Sequence, residues 1–156
     1  MAAPADAFDL RRFTRAQAGV IGQVRDELRA GHKRTHWMWF VFPQLRGLGT
    51  SATARTYGIA SLEEARAYLR HRVLGPRLRE CCELLLAHPP GSGPAILGSP
   101  DDLKLRSCLT LFQLAAPDEP LFPRCLAHVL RQGPDPRTLQ LCAGVSGGAG
   151  SAPAGS

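Results

Sequence analysis

Apolar positions near the start of the chain follow a helical period. Leu10, Phe13, Val20, Ile21, Val24 and Leu28 fall on one stripe of a 3.6-residue helix, with Asp9 placed to cap it and Gly31 to stop it. The run His36-Trp37-Met38-Trp39-Phe40-Val41-Phe42-Pro43-Gln44-Leu45 breaks that period. It is apolar on all sides, which predicts burial, and periodicity does not separate helix from strand there. Pro43 ends either one. Arg46 to Ser51 predicts a flexible loop, and Ser61-Leu62-Glu63-Glu64 a capping box opening a helix to about Arg70, both glutamates capping or facing solvent.

A longer amphipathic helix is expected from Leu74 to His88, with Leu78, Cys81, Cys82, Leu85 and Leu86 inward, and the stretch Pro89 to Pro94 breaks it. Ser99-Pro100-Asp101-Asp102 predicts an N-cap, a proline at the first helical position and acids in the first turn. That helix carries Leu103, Leu105, Cys108, Leu109, Leu111, Phe112 and Leu114. Asp118-Glu119-Pro120 starts another to about Arg131, and Asp135-Pro136 a last short one around Leu139. The expected fold class is all-α: a single compact multihelical domain over residues 9–142, with the aromatic run as a short segment able to pair as extended chain. Residues 1–8 form a loose leader. From Ala143 to Ser156 the chain is mainly Gly, Ser, Ala and Pro, which bury too little surface to order themselves.

Composition narrows the class without naming a reaction. With 44% hydrophobic residues, 156 positions suffice for one core. No apolar run of about 18 residues is present, which excludes a helical membrane span and a membrane partner. Met1-Ala-Ala-Pro-Ala-Asp6 lacks the basic and apolar regions of a secretory signal. Cys81, Cys82, Cys108, Cys125 and Cys142 lack metal-ligand spacing; an odd count fits reduced, structural thiols in the cytoplasm. There is no Gly-rich phosphate loop, His-Glu-x-x-His or Gly-x-Ser-x-Gly, so no metal and no cofactor is expected.

The formal charge is +6, and the basic residues are arginine except at Lys33 and Lys104. Acids interleave with them, as in Arg25-Asp26-Glu27-Leu28-Arg29 and Arg77-Leu78-Arg79-Glu80. RNA binding, which needs a basic face, is therefore the least favoured reading.

Two segments carry the candidate chemistry. In the first, Trp37 and Trp39 offer stacking faces, bracketed by His36, Gln44 and Arg46. His36 titrates near neutral pH. The competing reading makes the aromatics plain core. In the second, Asp101 and Asp102 open a helix on which Lys104 and Ser107 lie three residues apart. Arg55 and Tyr57 are weaker candidates for a pocket mouth. His71 and His88 suit the carbonyl ends of their helices, and His128 is an ordinary helix residue.

The chain resembles a bacterial family known as domain of unknown function 1810, sometimes mislabelled calpastatin. The resemblance is carried by Gly31-His32-Lys33-Arg34-Thr35-His36-Trp37-Met38-Trp39-Phe40-Val41-Phe42-Pro43-Gln44-Leu45, Tyr57-Gly58-Ile59, Asp101-Asp102-Leu103-Lys104-Leu105-Arg106-Ser107 and Asp135-Pro136-Arg137-Thr138-Leu139. It implies a small multihelical domain and no established activity. A remoter resemblance, in the order of segments, is to the NADAR families, which act on ADP-ribose N-glycosides. Thr35 stands where those families carry a glutamate, so the implied hydrolysis needs Asp101 or Asp102 to activate water.

The functional expectation is a pocket for a nucleotide-like anion of the ADP-ribose type, with N-glycoside hydrolysis as its implied chemistry. His36, Asp101 and Asp102 are the catalytic candidates. Trp37, Trp39, Gln44, Arg46, Tyr57, Lys104 and Ser107 are the ligand-binding ones. The alternative is a noncatalytic protein-interaction module.

Overall fold

The computed structural model describes residues 6–147. The fold is all-α, and among the described residues no strand forms beyond one isolated parallel bridge, Leu45 to Ile59. The stripe from Leu10 to Leu28 is split between two helices, α1 (Arg11–Ala18) and α2 (Ile21–Ala30), which part at Gly19 and Val20. The cap of α1 is Asp6, not Asp9. Its carboxylate accepts from the Leu10 and Arg11 amides, both at 2.8 Å, while Asp9 takes a φ of 52°. Phe8 packs against the core, so residues 6–8 of the expected leader belong to the domain. Gly31 ends α2 as expected, with φ 74° and its amide donating to the Glu27 and Leu28 carbonyls.

The aromatic run is both things that periodicity left open. Met38–Val41 form a single turn, α3, after which Pro43 forces extended chain and Leu45 reaches Ile59. The bridge is held by the Ile59 amide on the Gln44 carbonyl at 2.9 Å and the Arg46 amide on the Ile59 carbonyl at 2.7 Å. Between its ends α4 (Ala52–Thr56) is capped by the Ser51 hydroxyl. Ser61 caps α5 (Leu62–Arg70) as predicted, but Glu64 does not face solvent. It is buried, accepts from the Ala60 amide at 2.9 Å, and pairs with Arg12 at 2.8 Å.

His71 and His88 depart from the expected roles in different ways. The His71 ring accepts from the amides of Val73 and Leu74, capping the start of α6 (Leu74–Leu86). His88 lies 2.6 Å from the Leu28 carbonyl, at the carbonyl end of α2 and not of its own helix. At the end of the Pro/Gly break begins α7 (Gly93–Leu97), followed by α8 (Asp101–Ala115). Pro100 occupies the N-cap of α8, so Ser99 does not cap it. The chain continues through α9 (Leu121–Cys125), prolonged by a π-helical turn over Leu126–Leu130, to α10 (Pro136–Gly147). Asp135 caps α10 by accepting from the Thr138 amide at 3.0 Å and hydroxyl at 2.6 Å. That helix extends past residue 142, the expected edge of the domain; the remainder of the expected leader and tail, 1–5 and 148–156, lies outside the described residues.

The core centres on α8, whose Leu105, Cys108, Leu109, Leu111 and Phe112 are buried. An aromatic chain crosses it: Phe13 to Tyr68 at 5.1 Å between ring centroids, Tyr68 to Phe112 at 5.3 Å, and Phe112 to Phe122 at 5.9 Å. All five cysteines are buried and unbridged. Burial, helped by the Glu80 charge, pushes the Cys81 thiol up to about 12, so it stays protonated and packs as a small hydrophobe. No described helix is long and apolar enough to cross a membrane.

One buried carboxylate fixes the entry to the aromatic run. Glu27 accepts from the Arg34 amide at 2.8 Å, the Thr35 amide at 3.2 Å, the Thr35 hydroxyl at 2.7 Å and the Trp37 indole at 2.9 Å. Burial opposes its ionisation, but these bonds outweigh burial and hold the carboxyl at about 2. A depressed folded pKa adds stability above the unfolded value, lost as pH falls through the folded one. The expected outcome is a Glu27→Gln variant less stable than the wild type by about 3 kcal/mol at neutral pH. That gap closes between about pH 5 and pH 2, and urea titrations across this range measure it.

Candidate functional site

The two lysines of the chain come together on one carboxylate. Lys33 is anchored by its amide on the Ile96 carbonyl at 2.8 Å, and its buried ammonium lies 2.9 Å from Asp101 Oδ2. Lys104, one helical turn along α8 from Asp101, reaches the other oxygen at 3.6 Å. Each lysine also covers an indole: Lys33 lies 5.1 Å from the Trp37 ring centroid and Lys104 4.4 Å from that of Trp39. Asp101 therefore binds the start of α8 to the segment entering α3.

Beside this pair is a small recess. Trp39, Gln44, Tyr57 and Lys104 line it together with the apolar Met38 and Phe42, and its cavity volume is about 10 Å³. That is room for about one water. Three separate segments meet here: the aromatic run, the end of α4, and α8. The Gln44 loop can close only because residue 49 is glycine, since a Cβ there would stand 2.7 Å from the Ala54 Cβ.

Four of the expected site residues thus meet in one concavity, with Asp101 joined to them through Lys104. The others lie elsewhere. Trp37 is fully buried and its N–H is spent on Glu27, so it is core and offers no face to a ligand. His36 is exposed and does not line the recess. Asp102 stands two residues before Lys104, about 200° around the helix, and does not line the recess either. One of its carboxylate oxygens is buried without a partner. Ser107 is turned to the Leu103 carbonyl and to Asp135, each at 3.3 Å, where it ties α8 to the cap of α10. Arg46 opens on a different depression, beside Arg12 and Arg55. Lys33 was missing from the expected set, although its signal was in the sequence: the only other lysine is the one that was singled out.

The family described as protein of unknown function (DUF1810) matches residues 7–142. The chain belongs to this family. A crystal structure of the conserved hypothetical protein Rv1873 from Mycobacterium tuberculosis superposes with a TM-score of 0.86 at 56% sequence identity, covering 88% of this chain and 99% of that one. No curated protein matches the chain. Neither description names a ligand or an activity, and neither links the DUF1810 family to the ADP-ribose glycosidases.

In this DUF1810 member the two tryptophans are optically distinguishable. Trp37 is sealed, whereas Trp39 is half-buried and shielded by Lys104. Acrylamide is expected to quench the Trp39 emission alone: Trp39→Phe leaves a nearly unquenched signal, and Lys104→Ala, which removes the covering stem, speeds the quenching of the wild-type component.

Proposed function

We propose that the recess beside Lys104 binds the planar ring of a nucleotide-like anion of the ADP-ribose type, and that it acts by binding and not by turnover. The observation that supports this reading is the convergence of four polar groups with unspent capacity. The Trp39 N–H, the Gln44 amide and the Tyr57 hydroxyl make no hydrogen bond to the described residues, and Lys104 has only its longer contact with Asp101. Trp39 then supplies a stacking face, Gln44 a donor and an acceptor for a ring edge, and Lys104 a compact positive charge. The reading requires the lysine stem to lift from the indole, because the closed recess has room for about one water. The choice of ADP-ribose among nucleotide-like anions rests only on the remote resemblance of the sequence to the NADAR families.

Hydrolysis of an N-glycoside has less support. It needs a carboxylate at the anomeric carbon. Asp101 is held between Lys33 at 2.9 Å and Lys104 at 3.6 Å, Asp102 lies on another face of α8, and His36 is outside the recess. A second reading, a noncatalytic interaction module, is favoured by the recess volume of about 10 Å³.

Calorimetry with ADP-ribose and NAD separates the two. Ligand binding predicts saturable heat at submillimolar concentration, weakened about tenfold or more by Lys104→Met or Gln44→Leu, the worth of one charged or buried hydrogen bond, and unchanged by His36→Ala. Absence of heat at millimolar ligand with folded protein, or equal heat in both recess variants, leaves the interaction module.

A further inference from the structure

A second opening lies beside the same loop and makes no use of the recess. It is an open depression of about 480 Å³ lined by Asp9, Arg12, Arg46, Arg55, Thr56 and Glu64 among others. Three arginines line it, Arg12 from α1 and Arg46 and Arg55 from the loop that follows the aromatic run, and they are not equivalent.

Arg12 is fully committed. Its Nε donates to the Thr56 carbonyl at 2.7 Å, and its Nη1 to the Phe8 and Asp9 carbonyls at 2.6 and 3.0 Å. Its Nη2 donates to the Gly58 carbonyl at 2.9 Å and to Glu64 at 2.8 Å. All five donors of the group are used, so Arg12 contributes charge and support and no free N–H. Glu64 is correspondingly spent on Arg12 and the Ala60 amide.

Arg46 and Arg55 differ. Each is exposed, each makes one hydrogen bond to a backbone carbonyl (Gly58 for Arg46, Thr50 for Arg55), and neither has a carboxylate within ion-pair distance among the described residues. The single tether orients the fork and leaves most of its donors open. Asp9 is the opposing charge, a carboxylate lining the depression with no ion-pair partner among the described residues. Two open guanidiniums against one carboxylate leave the depression short of negative charge, and paired planar forks match the oxygens of a tetrahedral oxyanion.

We infer that Arg46 and Arg55 form a phosphoryl-binding site, separate from the recess and independent of the ligand proposed for it. Arg12 and Glu64 are its supports: they fix the chain around Phe8, Thr56 and Gly58, on which the two open arginines are mounted.

The test is an NMR titration of the arginine Nε–Hε signals with inorganic phosphate at constant ionic strength. Arg46 and Arg55 are expected to shift together and saturably with one Kd, while Arg66 and Arg70, exposed on α5, do not saturate. Arg46→Met weakens the response at Arg55 by about tenfold or more, and Arg55→Met does the same at Arg46, the worth of one charge-assisted hydrogen bond. Lys104→Met leaves both responses unchanged. Thermal melts check that the variants fold; both side chains are on the surface, so the fold is expected to persist. A phosphoserine-bearing tetrapeptide bound more tightly than inorganic phosphate assigns a protein-borne phosphoryl group, and equal binding assigns a free one. Non-saturating shifts, shifts matched by Arg66 and Arg70, or binding retained in the double variant overturn the proposal.

Discussion

The buried Glu27 carboxylate is the constraint on which the arrangement of this molecule depends. It takes up the amides of Arg34 and Thr35, groups that no helix would otherwise satisfy, and it orients the Trp37 indole. From there one interaction leads to the next. Trp37 lies beneath Lys33, Lys33 holds Asp101, Asp101 meets Lys104, and Lys104 covers Trp39. Carboxylate, indole and ammonium alternate along a path from α2 to α8. An error at its origin would be passed to every later partner, because each polar group along the path is held by the one before it.

That path also explains the contrast between the two tryptophans. Both sit in one apolar run and both lie under a lysine, yet Trp37 has spent its N–H and Trp39 has not. The difference is one of accounting for polar groups. Where donors and acceptors are matched inside the protein, as around Glu27 or in the Gln17 contacts with Phe40, Tyr68 and Arg77, the residues serve the fold. Where they are left over and face a concavity, as at Gln44 and Tyr57, they are available for something else.

Much of the architecture was legible because local signals agreed with the final packing. The Ser61 cap, the Gly31 stop, the break after His88 and the Asp135 cap depend on a few neighbouring residues and were readable from them. Long-range partners were not. Asp6 replaced Asp9 as a cap because the chain turns between them. Glu64 left the solvent because Arg12, distant in sequence, needed a counter-charge. The candidate site followed the same division. Of the residues singled out in the two segments, Trp39, Gln44 and Lys104 line one recess with Tyr57, whereas His36, Trp37, Asp102 and Ser107 do not. The sides taken by Asp102 and Ser107 follow from the rotation of α8, fixed only when α5, α7, α9 and α10 dock against it, and this is a property of packing that residue types do not reveal.

The isolated bridge between Leu45 and Ile59 works as a clasp. Two backbone hydrogen bonds pinch the chain into a hoop, with its ends riveted and α4 carried in its span. The rim of the recess (Ala54, Tyr57, Gly58) and that of the arginine depression (Arg46, Arg55, Thr56) belong to this same hoop. The hoop is therefore a common frame: one closure by two backbone bonds sets the spacing of both rims, while each rim keeps its own side chains facing its own opening.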